Sequence, residues 1–137
     1  MSELELQVKI YNLFRDSGYD VYTEVPFLTR SIDIVAVRNG RVCTYELKLH
    51  DWRKAIKQSI DHLHGADESY ICLPKMTRIN DEMLELAQAN GIGVVLFDTE
   101  SNSLEEVLPP QESEFEWPPA KSWLNSALKR VGAVAVA

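Results

Sequence analysis

No stretch of the sequence approaches the ~20 consecutive apolar residues needed to cross a bilayer, so a membrane-spanning role is excluded. The opening residues Met1-Ser2-Glu3-Leu4-Glu5 are acidic and lack the basic start and apolar run of a secretory signal. Cysteine is scarce: Cys43 and Cys72 are the only two. That excludes a disulfide framework and fits buried, small apolar residues in a reducing cytosol. The expected location is therefore cytoplasmic. Basic charge is also short, with 14 Lys and Arg against 21 Asp and Glu, for a net charge of −7. The broad basic footprint of a tight, non-specific DNA binder is absent. The deficit is local, because residues 99–119 carry Glu100, Glu105, Glu106, Glu112, Glu114 and Glu116 and no Lys or Arg. Without those glutamates the rest of the chain is close to neutral. Internal repeats are absent as well. At 137 residues and 45% hydrophobic, the chain has room for one core.

What is present centres on residues 31–49. The run Ser31-Ile32-Asp33-Ile34-Val35-Ala36-Val37 and the run Val42-Cys43-Thr44-Tyr45-Glu46-Leu47-Lys48-Leu49 flank Asn39-Gly40. Asn-Gly between β-branched runs is a strong hairpin signal. A two-residue loop there puts Arg38 opposite Arg41, Asp33 opposite Glu46 and Ser31 opposite Lys48. Alternation along each strand then gathers Asp33, Glu46 and Lys48 on one face with Val35, Val37, Val42 and Thr44. The other face carries Ile32, Ile34, Ala36, Cys43, Tyr45, Leu47 and Leu49. A hairpin apolar on both sides belongs at the centre of a covered sheet.

Like charges directly opposed on a ladder destabilise it, and apolar surroundings screen the repulsion poorly. A divalent cation between Asp33 and Glu46 removes the penalty. Magnesium is commonly held by one or two carboxylates plus water and phosphate. Lys48 is placed to orient a water or to neutralise developing charge. A purely structural pairing of Glu46 with Lys48 or Arg30 leaves Asp33 unexplained.

The remaining elements follow from periodicity and punctuation. Leu6, Ile10, Leu13 and Phe14 predict an amphipathic helix over 3–17, stopped by Gly18. Glu3 falls on its inward stripe with Gln7 one turn later, whereas Glu5 points outward. Tyr19 to Val25 reads as a strand that Pro26 confines to an edge or ends. Glu24 within it reads as solvated. Arg30 precedes the Asp33 strand and is placed to touch a phosphate. Asp51 caps a helix over 52–64 with Trp52, Ile56, Ile60 and Leu63 inward. Arg53, Lys54 and Lys57 put positive charge near Lys48. His62 and His64 diverge on that helix and do not share a metal readily. Strand 69–74, a helix over 81–90 capped by Asn80, and strand 93–97 complete a parallel unit with a right-handed crossover. Pro109-Pro110 and Pro118-Pro119 bracket an acidic, extended linker carrying Phe115 and Trp117. A short helix with Trp123, Leu124, Ala127 and Leu128 follows. The expected division is 1–98 for the domain, 99–119 for the linker and 120–137 for a helix and tail.

The spacing Asp33…Glu46-Leu47-Lys48 resembles the PD-(D/E)xK phosphodiesterase superfamily, the restriction-endonuclease-like nucleases, with Ile32 where that family's leading proline stands. The order α-β-β-β-α-β-α-β over residues 3–98 is similar to the superfamily's core. The likeness extends to small uncharacterised bacterial members through Glu3-to-Leu6, Gly18-to-Val21, Asp33-to-Val37, Tyr45-to-Leu49, Gln58, Ser69-to-Pro74 and Gly91-to-Leu96. The resemblance implies an α/β fold, a central mixed sheet flanked by helices, followed here by a C-terminal extension. It implies a divalent-metal-dependent nuclease acting on nucleic-acid phosphodiesters, with DNA as the expected partner. Asp33, Glu46 and the Leu47 carbonyl would hold Mg²⁺, for which Mn²⁺ can substitute. Lys48 would assist the nucleophile, Glu3 would reach the metal or its waters, and Gln58 would support the site. Arg30, Arg53, Lys54 and Lys57 are the expected nucleic-acid contacts. The alternative is a catalytically silent nucleic-acid-binding or assembly protein on the same scaffold. The C-terminal tail offers a surface for a homodimer or a partner protein.

Overall fold

The computed structural model describes the backbone of residues 1–136 and the side chains of residues 1–131. Ser2 accepts a hydrogen bond from the Glu5 N–H and starts helix α1 (Glu3–Asp16). Gly18, at φ +91°, turns the chain out of it, a conformation that costs glycine little. Strands β1 (Asp20–Phe27), β2 (Arg30–Arg38) and β3 (Arg41–Leu47) follow as an antiparallel meander. Asn39 and Gly40 both have positive φ, as a two-residue hairpin loop requires, and Arg38 pairs with Arg41. Helix α2 (Trp52–His62), capped by Asp51, crosses to β4 (Glu68–Pro74), and α3 (Asp81–Ala89), capped by Asn80, crosses to β5 (Gly93–Asp98).

The strands lie in sequence order in one six-stranded sheet. β3, β4 and β5 run parallel; the pairs around them are antiparallel. The hairpin is central, as its apolar character on both sides requires, and Pro26 sits on the outer strand β1. Leu6, Ile10 and Phe14 of α1 pack on one face, against Ile34, Ala36, Tyr45 and Leu47. Helices α2 and α3 cover the other face through Ala55, Ile56, Met83 and Ala87. Each large side chain buried in this way contributes about 1.5–3 kcal/mol.

Three expectations are corrected. The acidic segment 99–119 is not simply a linker. Residues Ser103–Leu108 form β6, antiparallel to β5, because Leu104, Val107 and Leu108 still have apolar sheet and helix surface to cover. The terminal helix is longer than the sequence implies: α4 spans Pro118–Val136, with prolines at its first turn, where a missing N–H costs nothing. Its Ala120, Leu124, Ala127 and Leu128 are buried against Val25, Phe27, Ile32 and Val35, so it completes the sheet's cover. Gly65 permits this approach, since a Cβ there would lie 2.8 Å from the Phe27 ring and 3.2 Å from the Ala120 carbonyl. Ala137, in the expected tail, lies outside the described residues.

The third correction concerns alternation in β2. Ile32 and Ile34, two residues apart, do not share a face: Ile34 packs with α1 and Ile32 with α4. The β1–β2 ladder skips the Glu24/Asp33 position, where Glu24 takes φ +49°. A left-handed residue interrupts the pleat, and the side chains beyond it change sides.

Candidate active site

The β2–β3 ladder runs from the turn to Ile34 opposite Tyr45 and stops there. Neither the expected Asp33–Glu46 nor the expected Ser31–Lys48 pairing forms in the ladder, although Ser31 keeps its pairing with Pro26 on the β1 side. In the opening, the Asp33 side chain replaces the missing backbone partner. Its Oδ2 accepts a hydrogen bond from the Leu47 N–H at 2.9 Å. Asp33 thereby sits close enough to Glu46 for each carboxyl to perturb the other. The two acids lie near each other, although the groups around Asp33 come from α1 and those around Glu46 from α2.

Glu46 is 3% exposed. Burial, and next the charge of Asp33, push its carboxyl up to about 9. Burial also raises Asp33, while the Leu47 N–H and Lys48 counteract the rise. At neutral pH the metal-free pair therefore retains a proton that two ordinary carboxyls would have lost. Glu46 Oε2 is buried with no hydrogen-bond partner, and so is Nδ1 of His62. His62 Nε2 is 3.8 Å from that Oε2, too far for a hydrogen bond. Burial holds the His62 pKa down at about 4, so this is a neutral contact rather than an ion pair.

The surrounding residues arrive from four elements. Gln58 of α2, with its amide set to satisfy both neighbours, donates to Glu46 Oε1 at 3.0 Å and accepts from Arg30 Nη1 at 2.9 Å. Glu46 thus pairs directly with neither Arg30 nor Lys48. Gln7 of α1 is buried and donates to Glu24 Oε1 at 3.0 Å and to the Asp33 carbonyl at 2.9 Å. Ser31 Oγ donates to Glu24 Oε2 at 3.1 Å. Glu24 is therefore held at the site rather than merely solvated. Its left-handed backbone is invisible to a strand pattern, and the only sequence signal was an acid one strand away from Asp33. Because β3 ends at Leu47, strand alternation does not hold Lys48 beside Glu46. Its Nζ reaches toward α1 and stands 4.0 Å from Glu3 Oε1. Glu3, Gln7, Glu24, Asp33 and Leu47 line one recess of about 140 Å³.

Of the remaining candidates, Arg53 pairs with Glu82 of α3 and stacks on Trp52, with its guanidinium 4.2 Å from the ring centroid. Lys54 and Lys57 are exposed on α2. The divergence of His62 from His64 on α2 argues against a shared metal, and nothing in the spacing of His62 announces its contact with Glu46.

Among the described residues, no three His, Cys, Asp or Glu side chains converge to form a metal site by themselves. The donor set is a pair of carboxylates with the Leu47 backbone beside it. That set fits a hard cation such as Mg²⁺, which keeps water and substrate oxygens for the rest of its coordination. The unpartnered, buried Glu46 oxygen is the observation that favours a cation here.

No family model matches the sequence, and no curated protein does. Solved structures do resemble it. An XisH family protein from Nostoc punctiforme superposes with a TM-score of 0.54 at 18% identity, covering 76% of this chain and 97% of that one. Pyrococcus furiosus SfsA, solved in complex with Ca²⁺, gives 0.50 at 14% identity over 79% of this chain and 64% of that one. The chain has a restriction-endonuclease-like fold. A protein of unknown function, AF1548, matches with a TM-score of 0.51 at 20% identity over 65% of this chain. The chain spans 55% of the length of AF1548. These likenesses show the fold alone. Within it, no described helix is long and apolar enough to cross a membrane.

Proposed function

We propose that the protein is a divalent-metal-dependent nuclease that hydrolyses nucleic-acid phosphodiesters, with DNA as the first substrate to test. One observation carries the reading: Glu46 is buried against Asp33 with an oxygen that no protein group satisfies. Burying a carboxylate beside another is costly without a counter-charge, and a magnesium ion at that oxygen supplies one. Asp33, Glu46 and the Leu47 carbonyl would hold the ion. When bound, it would polarise the phosphate and lower the pKa of a coordinated water.

The chain's own groups account for the rest. The Leu47 N–H fixes the Asp33 carboxylate, and Gln58 fixes the Glu46 carboxylate, so neither has to reorganise as charge builds. Lys48, 17% exposed, brings an ammonium group to the rim, where it would hold the attacking water or offset phosphorane charge. Glu3 sits 4.0 Å from that ammonium and would keep it aimed. Arg30, anchored through Gln58, would meet a neighbouring phosphate.

The test is cleavage of single-stranded, duplex and branched DNA, and of RNA, by purified protein with Mg²⁺ or Mn²⁺. Asp33→Asn and Lys48→Ala are expected to abolish cleavage while leaving circular dichroism unchanged. A wild-type protein that cuts none of these substrates, and binds no divalent ion by calorimetry, would favour the silent nucleic-acid-binding alternative.

A further inference from the structure

A groove of about 630 Å³ opens at the C-terminal ends of β3 and β4. It begins immediately after Lys48, at Leu49 and His50, and continues past Trp52 to Lys75, Met76 and Arg78. The outer ends of parallel strands are where α/β sheets commonly take ligands. In a chain with 21 acidic residues, no acid lines this groove. Its charged side chains, Lys75 and Arg78, are both basic, and His50 lines the wall with them. Lys75 is shared with Asp98 at 3.6 Å and Glu105 at 3.9 Å. His50 and Arg78 have no acidic partner among the described residues. Between these groups the wall is apolar: Leu49, Trp52 and Met76.

We propose that this groove binds a single-stranded segment of the nucleic acid, leading away from the phosphate at Lys48. The phosphates would run along His50, Lys75 and Arg78, and the bases would lie against Trp52, Met76 and Leu49. Alternation of cations with apolar surface is what an unpaired strand needs, since it presents both phosphates and base faces. A duplex hides its bases and would use the cations alone. Trp52 is held for this role: Arg53 stacks on its ring, and Glu82 holds Arg53. The inference rests on the nuclease reading above and adds a strand type and a path to it.

The test separates binding from cutting. A fluorescein-labelled single-stranded DNA 12-mer is titrated in EDTA at low salt and followed by anisotropy, with the matching duplex alongside. Arg78→Glu is expected to weaken single-strand binding at least tenfold and to lower the salt dependence by about one phosphate contact. Trp52→Leu, which keeps the wall apolar, is expected to weaken the single strand more than the duplex. Lys129→Glu, exposed on α4, serves as the control and is expected to change neither. Unchanged binding in both Arg78→Glu and His50→Glu overturns the groove, even where cleavage persists. Equal losses for strand and duplex in Trp52→Leu overturn the single-strand assignment. Groove-dependent binding without cleavage at any metal concentration counts against the nuclease reading alone.

Discussion

Oε2 of Glu46 stands 3.8 Å from Nε2 of His62, and both side chains are at least 95% buried. Neither is charged at neutral pH in the metal-free protein, since burial pushes the acid up to about 9 and the imidazole down to about 4. The site is built around an acid that cannot ionise comfortably by itself. Replacing it with its neutral isostere therefore has two separable effects. Glu46→Gln is expected to fold with equal or greater stability in EDTA, because the buried acid is gone. It is also expected to lose the stabilisation that Mg²⁺ confers on the wild type, about 2.7 kcal/mol at a hundredfold excess over Kd. Thermal melts with and without Mg²⁺ check both.

Stability should also depend on pH in a particular direction. Between 4.5 and about 9 the unfolded chain has released the Glu46 proton and the folded chain has kept it, so rising pH favours unfolding. His62 acts oppositely between about 4 and 6.5, where the unfolded chain takes up a proton that the folded chain refuses. The two oppose each other in weak acid, and Glu46 acts alone above that range. Metal-free protein is thus expected to lose stability steadily from pH 6.5 to 9 in urea titrations. Glu46→Gln should flatten the slope. Metal affinity should rise across the same interval, because binding expels the proton.

Gln58 holds Glu46 without touching substrate. Gln58→Ala is expected to lower divalent affinity or cleavage by about 10–100-fold, the usual cost of losing a group that orients a ligand. Circular dichroism should stay unchanged. Isothermal titration with Mn²⁺ gives the affinity directly.

The terminal helix is predicted to be integral rather than detachable. Leu124 is fully buried against Val25, Phe27 and Ile32. Leu124→Ala is expected to cost about 2–5 kcal/mol, in a single cooperative urea transition. A separate early transition would mean that α4 melts on its own.

Much of this arrangement could be read in the sequence, for identifiable reasons. The Asn39-Gly40 turn fixes the hairpin register, and extending that register past the last ladder pair sets Asp33 near Glu46 in a sheet covered on both sides. Caps at Asp51 and Asn80 announce two helices through side chains that satisfy free N–H groups. What escaped depends on distant partners. The left-handed Glu24 breaks an otherwise ordinary alternation, and no local pattern encodes it. β6 is hidden because glutamates on a half-solvated outer strand look like a linker. Lys48 was assigned a face by alternation, but β3 had already ended. Composition misled at residues 118–136, where a proline pair reads as a break but serves as a helix start.

The glutamates of β6 have a consequence beyond net charge. β6 is the last strand of the sheet, and its far side has no neighbouring strand among the described residues. A bare strand border of this kind is a template on which another molecule's backbone can add. Glu105 and Glu106 are exposed there, one on each face of the strand. Two such borders brought together would set like charges against each other at every attempt. Two of the six glutamates that looked unfavourable for meeting nucleic acid thus lie on the margin across the sheet from β2, where their charge opposes the zipping of copies of the protein into fibrils.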